Sequence, residues 1–577
     1  MKKSAFGTEI EYRLGFQDLA HTGMLIAARD IIEKAKRIVR ESGSEYGLPW
    51  DFCTDQGARV YVDGQCPEYS TPECGSAGEL LVAERSGDCL MARAEEKLQR
   101  RGADCRVIKN NTDPKGEVSS GAHENYAVSP SVFENLVYMP VSAPPFSPGN
   151  PTRHERIAPQ ALIAAAWMTF LATRILWTGA GRVVRYGKSH RFEISQRAAF
   201  ITAVRSLETL DGIPAGRVFV PGQVHGRAFI NTRREPHADE TICQRLHVIC
   251  GDSNQCDYAI WLKTGITHLI LRMLEQPWFI TGLPVLLWPV AALHAISAGT
   301  LHARKPLRFP VLENGGLGEL TALAIQKRYH AALGRFLCEA GFEADDEDGY
   351  LHETWGDALR ILGEPLPKQL DDLFGISDWH TKFRLLERHR ERDGFSWSWQ
   401  TPPDAPIRIK KWPKELVRTA AEHLAMLDAQ YHGVSGWGFV SALRERGGIP
   451  APFRFSAEEL EPGRAAPPAL TRAWLRGNMI RRCGTGGELR ELLPLVSVRW
   501  RGVEAFSLTS GDRLFLDMAE PWGFSAAATR DWFIEDTPFE QARRLERELR
   551  ARGRVLGQAA AVPEWYEREL TDQNRGI

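Results

Sequence analysis

The stretch Gly57-Ala58-Arg59-Val60-Tyr61-Val62-Asp63, continued by Gly64-Gln65-Cys66-Pro67-Glu68-Tyr69-Ser70-Thr71-Pro72-Glu73, decides how the chain is read. As a strand with a two-residue side-chain period, it sets Val60 and Val62 on one face and Arg59, Tyr61 and Asp63 on the other. A cation, a phenol and a carboxylate then share one surface. An ordinary half-exposed antiparallel strand would alternate in the same way, so the segment gains its meaning from others that repeat the pattern. Gly7-Thr8-Glu9-Ile10-Glu11-Tyr12 brings Glu9 and Glu11 to one face, and Val107 to Asp113 is a strand running into a polar loop. In Gly121 to Val128, His123 falls in phase with Asn125. In Arg245 to Asn254, Arg245 and His247 oppose Leu246, Val248 and Cys250.

Together these strands describe a sheet with an apolar back and a charged front. Adjacent carboxylates such as Glu9 and Glu11 repel unless a cation lies between them. Mg²⁺ suits the position, because it prefers hard oxygen ligands and leaves room for phosphate oxygens. Arg-bearing polar motifs at Ile194-Ser195-Gln196-Arg197, at Ile230 to Asp239 and at Arg245 to Asn254 add a clamp for phosphate or carboxylate. The chain has no G-x-x-x-x-G-K-[ST] and no G-x-G-x-x-G after a strand, so a nucleotide would be held by side chains and metal on the sheet.

The bulk properties set limits. With 577 residues, 43% of them hydrophobic and 25% charged, the chain is too long for one simple core. A net charge of -1 argues against a generally basic nucleic-acid binder. The ten cysteines form no C-x-x-C pair, and Met1 to Phe6 leads into a strand with no signal-peptide hydrophobic region, so a reducing cytoplasm is expected. The apolar run Pro159 to Gly181 is interrupted by Arg174 and reads as a buried helix rather than a membrane span. Amphipathic helices are expected over Gly23 to Glu41 and Ala77 to Arg101, and a charged helix with a solvated face over Asp536 to Arg552.

The motifs GTEIEY at 7–12, GARVYVD and PEYSTPE at 57–73, KNNTD at 109–113, HENY at 123–126, ISQR at 194–197, INTRREPHAD at 230–239 and RLHVICGDSN at 245–254 keep one order along the chain. In them the sequence resembles the Pup ligase and depupylase (Pup deamidase) family of glutamine-synthetase-like carboxylate–amine ligases. The resemblance implies an α+β fold whose large domain has a curved antiparallel sheet backed by helices; Gly433, Gly436 and Gly438 loosen the chain and set the end of that domain, residues 1–432, near His432. A smaller C-terminal domain, residues 433–577, would contribute to the nucleotide site. The implied cofactors are ATP and Mg²⁺. Glu9, Tyr61 and Glu68 match metal ligands, with Glu11, His123 and His247 in the same metal and phosphate shell. Arg59 and Thr71 match nucleotide contacts, Arg197 and Arg233 belong to the Arg-bearing clamp motifs, Trp500 is the candidate to reach the nucleotide from the C-terminal domain, and Asp63 matches the catalytic aspartate.

Two directions of reaction follow from the resemblance. Hydrolysis of a side-chain amide or isopeptide bond at a C-terminal Gln or Glu of a small Pup-like protein tag is the first expectation, with tagged proteins as substrates and nucleotide kept bound. The alternative is ATP-dependent ligation of a Glu side-chain carboxylate to an amine, on this tag or on another peptide or small-molecule carboxylate. Neither involves nucleic acid or membrane. Four residues separate Asp63 from Glu68, as in the depupylase branch, whereas ligases usually carry one more. Against this, the long loop that depupylases carry ahead of GARVYVD is missing, Cys66 stands where a His usually precedes Pro67, and Leu210 to Arg227 looks like an insertion.

Overall fold

The computed structural model describes residues 4–15, 21–113, 119–138, 159–206, 227–231, 235–339, 345–411, 414–461, 465–533 and 537–556. Strand β1 (Phe6–Glu11) alternates buried and half-buried side chains, turning Thr8 and Ile10 to the back and Glu9 and Glu11 to the front. Around it lie β2 (Glu45–Leu48), β3 (Asp51–Thr54), β4 (Arg59–Asp63), β5 (Cys66–Ser70), β6 (Ala122–Val128), β7 (Ile201–Ser206), β8 (Arg227–Asn231) and β9 (Gln244–Val248). The spatial order is β7-β8-β9-β6-β1-β5-β4-β3-β2, which makes β1 the central strand of nine. The sheet is not antiparallel throughout, as the resemblance implied: β7 pairs with β8 in parallel.

Helices cover the back. Helix α1 (His21–Ser42) and α2 (Ala77–Gln99) pack Ile31, Ile32, Ile38, Leu90 and Met91 against Ile10, Val60 and Tyr69. Helices α3 (Pro159–Thr173), α4 (Asp257–Leu274) and α5 (Ala322–Glu339) share a larger core with Phe6, Tyr126, Leu246 and Val248. Among the described residues no helix is long and apolar enough to cross a membrane.

The back is less apolar than the strand pattern predicts. Thr8 donates to Glu84 Oε2 at 2.9 Å, Lys109 Nζ lies 2.8 Å from Glu84 and 3.1 Å from Asp88, and the Tyr12 hydroxyl donates to Asp88 at 2.7 Å. Arg174, the residue that interrupts the apolar run, meets Glu124 of β6 in two bonds of 2.6 and 2.9 Å, both side chains being fully buried. These charges are tolerable only in pairs, since removing one partner of a buried pair typically costs about 3–5 kcal/mol.

At the other end of the chain, α6 (Ala473–Cys483), β10 (Leu495–Val498), β11 (Gly502–Phe506), β12 (Arg513–Asp517), α7 (Pro538–Arg552) and β13 (Arg554–Leu556) enclose their own core. Leu475, Met479, Val503, Leu514 and Leu516 lie in it. Helix α7 is more than a solvated face, because Ala542, Leu545 and Leu549, at helical spacing, are buried in this core. Val440 and Ile449 still pack with Leu385 and Tyr431 of the first unit. We therefore propose that the boundary expected at 432 lies instead in the connection 450–472.

Candidate functional site

Register across the sheet assembles the front. Glu9 pairs with His123 on one side and Ser70 on the other, and Ser70 pairs with Arg59. One row away, Glu11 pairs with Glu68, Glu68 with Tyr61, and Tyr61 with Asp51. Asn125 pairs with both Gly7 and His247. Residues far apart in sequence therefore stand side by side because the two-residue period turns them all to one face.

Two groups of ligand atoms result, each set lying within 4.8 Å of one another: Glu9 with His123 and His247, and Glu11 with Asp63 and Glu68. Glu9 Oε2 lies 3.3 Å from His123 Nδ1 and 3.5 Å from His247 Nε2, while Oε1 accepts from Asn125 at 3.1 Å and Arg245 at 3.4 Å. Burial would raise the Glu9 pKa, but His123, His247 and Arg245 outweigh it and hold the carboxyl well below its ordinary value. Desolvation pushes His247 down to about 4, so its ring is neutral near pH 7. The ring is buried, and its nearest polar neighbour is Glu9; the single lone pair of a neutral imidazole suits a cation ligand.

The second group has like charges in close company. Burial, then Glu11, Glu9 and Asp63, push Glu68 well above the usual carboxylate range. Asp63, exposed at the end of β4, is also raised, by desolvation and by Glu11 and Glu9, against opposing effects of His123 and a hydrogen bond with Glu68. An oxygen-only set in this state fits a hard divalent cation, which would relieve the repulsion. Tyr61 donates its hydroxyl to Glu68 Oε1 at 2.5 Å and carries the Arg59 guanidinium 4.2 Å over its ring. Arg59 is held in a two-bond fork by Asp51, at 2.9 and 2.8 Å.

The close approach of Glu11 and His123 depends on Gly121. A Cβ there would sit 2.5 Å from Glu11 Oε1 and 2.6 Å from His123 Nε2. Gly121→Ala is expected to leave the fold intact but displace both side chains. Divalent-ion affinity measured by calorimetry should fall by about 10–100-fold, the range for disturbing a ligand's support.

Beside the first group opens a solvent-open cleft of about 100 Å³, lined by Gly7, Thr8, Glu9, Thr71, Asn125, His237, Arg245, Arg472, Trp500 and Pro521. Thr71 Oγ accepts from the Thr8 amide at 2.9 Å. His237 takes a left-handed φ of 48°, a conformation costing about 1 kcal/mol or more in a non-glycine residue. Arg472 secures it by donating to its carbonyl at 2.5 Å.

Of the residues expected from sequence, the cleft brings together Glu9, Thr71 and Trp500, while Glu11, Asp63, Glu68, His123 and His247 occupy the two ligand groups with Glu9, and Tyr61 stands beside the second, hydrogen-bonded to Glu68. Arg59 turns to Asp51, and Arg197 is buried with its guanidinium donating to the Ser120 carbonyl and its amide to Asp252. Arg233 and the segment 210–226 lie outside the described residues. Sequence reading did not find Glu73, Arg472 or Arg476. Glu73 lies 399 and 403 positions from its two partners, so no local pattern announces the contact.

The family model described as Pup-ligase protein matches residues 18–504. The chain belongs to the Pup-ligase family. A Pup–protein ligase of Acidimicrobium ferrooxidans is 31% identical over 76% of this chain and 81% of its own length, and one of Geodermatophilus obscurus is 30% identical over 84% and 90%. The Pup deamidase/depupylase of Mycolicibacterium smegmatis is 31% identical over 74% and 71%. Among solved structures, the complex between the prokaryotic ubiquitin-like protein Pup and its ligase PafA matches with a TM-score of 0.64 and 24% identity, over 96% of this chain and 93% of that one. This likeness shows the fold, a large mixed sheet backed by helices. The family's members are enzymes, some ligases and some depupylases.

Proposed function

We propose that this protein is an ATP- and Mg²⁺-dependent enzyme acting on the side-chain carboxyl or amide of a C-terminal Glu or Gln of a small Pup-like tag. We take hydrolysis of the amide or isopeptide bond as its first direction. The observation that supports it is the tight hairpin between β4 and β5. Asp63 pairs with Cys66 across Gly64 and Gln65, Gly64 having a φ of 55°. Asp63 thereby stays exposed to water beside Glu11 and Glu68.

Glu9, His123 and His247 would hold one divalent ion, and Glu11 and Glu68, with Tyr61 beside them, a second. Bound ions would neutralise charge on the phosphate oxygens. In hydrolysis, Asp63 takes a proton from water as the water oxygen adds to the carbonyl and gives it to the departing amine as the C–N bond breaks; or its carboxylate adds to the carbonyl, the C–N bond breaks with the amine protonated by water, and the hydroxide left behind opens the resulting anhydride and frees Asp63. Ligation is the second reading, favoured by the higher coverage of the two ligases and by the short β3–β4 connection, residues 55–58. There a phosphorylated Glu carboxyl is attacked by a lysine amine, phosphate departs, and Asp63 takes the amine's proton. Incubation with ATP, Mg²⁺ and either a peptide ending in Gln or an isopeptide-linked conjugate tests the proposal by mass: loss of ammonia or of the tag supports hydrolysis. New amide formed from a Glu-ending peptide and a lysine donor supports ligation, and neither product refutes both.

At the base end, Trp500 lines the cleft. Trp500→Ala should weaken ATP binding by about 1–3 kcal/mol, the range for a base stacked on an aromatic side chain. Calorimetry with a folded variant and unchanged affinity would make Trp500 a packing residue only.

A further inference from the structure

We propose that Glu73 is a positioning residue for nucleobase recognition: acting through Arg476, it fixes the Trp500 indole at the wall of the cleft. This rests on the reading of that cleft as a nucleotide site.

Glu73 closes the stretch with which the sequence is read, just beyond β5, and its carboxylate receives two arginines from the C-terminal unit. Arg472 Nε donates to Oε1 at 2.9 Å and Arg476 Nη1 to the same oxygen at 3.2 Å, while Arg476 Nη2 donates to Oε2. Both arginines are almost fully buried, at 3% and 1% exposure. Arg476 then reaches Trp500 in two ways. Its Nη1 donates to the Trp500 carbonyl at 3.2 Å, and its guanidinium carbon lies 4.8 Å from the centre of the indole.

A further contact fixes the arginine itself. Arg476 Nη2 donates to the Gly57 carbonyl at 3.0 Å, and Gly57 has a φ of 86°, with Ala473 O and Arg476 Nη2 only 3.2 and 3.5 Å from where a Cβ would stand. The stretch Gly57 to Glu73 thus grips one guanidinium from both ends. A buried planar cation has few other orientations once its fork is satisfied, so the ring it covers is fixed with it. Arg476 and Arg472 outweigh the effect of burial and hold the Glu73 pKa near 2, from an ordinary 4.5. The grip is therefore complete above about pH 4.5 and lost only as pH falls toward 2.

The alternative is that the ion pair merely joins the two units. Titration with ATP and with inorganic tripolyphosphate, both with Mg²⁺, separates the roles, because only ATP carries a base. Glu73→Gln is expected to weaken ATP by about tenfold, within the stacking range, and to leave tripolyphosphate unchanged. In a Trp500→Ala background the same substitution should cost nothing further. Arg476→Lys, which keeps a cation beside Glu73 but not the planar group over the indole, should reproduce the ATP-selective loss if Glu73→Gln does not fold. Equal loss of both ligands, or an additive loss in the Trp500→Ala background, overturns the inference while the nucleotide site stands. Wild type binding neither ligand overturns both.

Discussion

Asp63→Asn should abolish turnover while leaving the fold and Mg-ATP binding in place. The side chain stands exposed at the end of β4, where a two-residue turn returns the chain to Cys66. Its close neighbours are the carboxyl groups of Glu11 and Glu68, beside which a near-isosteric amide fits the same space. Desolvation and the neighbouring Glu11 and Glu9 raise its pKa, which makes this carboxylate a stronger base than usual. An amide cannot accept the proton. General-base assistance is worth about 10²–10⁴-fold and a nucleophilic role more, so product should fall at least that far in single-turnover assays followed by mass. Glu9, His123 and His247 are untouched, and Asn keeps one oxygen toward Glu11 and Glu68, so calorimetric ATP affinity should survive. Equal turnover in both proteins would remove Asp63 from the mechanism.

The front of the sheet was legible because strand alternation is a local property. Glu9, Glu11, Tyr61, His123 and His247 could each be assigned to a face from a few neighbours, and register then brought those faces together. What the alternation could not tell is what lies behind. Thr8 and Ile10 share the back face, yet one meets a carboxylate network on α2 and the other an apolar core. Glu84, Asp88 and Glu95 are buried on a helix whose charged positions read as solvent-facing. Such positions depend on a partner elsewhere: Lys109 for two of them, and the backbone amide of Val107 for Glu95. The arginine pair on Glu73 is the extreme case, because Arg472 and Arg476 sit in an unremarkable basic helix start until the fold brings them to the sheet. The ligand sets and the role of Trp500 came from the family resemblance, not from periodicity.

Glu9→Ala is the second substitution with a large expected effect, and it acts on binding rather than turnover. Glu9 is the hub of its group, in contact with His123 and His247 through one oxygen and with Asn125 and Arg245 through the other. Without it, two imidazoles remain whose centroids are 4.9 Å apart, with no carboxylate to complete the set. Arg245 would keep Glu235 at 2.8 Å, so the loss of charge is not repaired from that side. A divalent ion held by two imidazole rings alone is poorly retained, since Mg²⁺ prefers oxygen ligands. The expected result is ATP affinity below the calorimetric limit at millimolar Mg²⁺, with the melting temperature little changed because Glu9 is on the open face. Glu9→Gln, which keeps the shape and one oxygen but not the charge, should show a smaller loss. Unchanged ATP affinity in Glu9→Ala would mean that the His-bearing group is not where the ion is held, and would leave Glu11, Asp63 and Glu68 as the set to test.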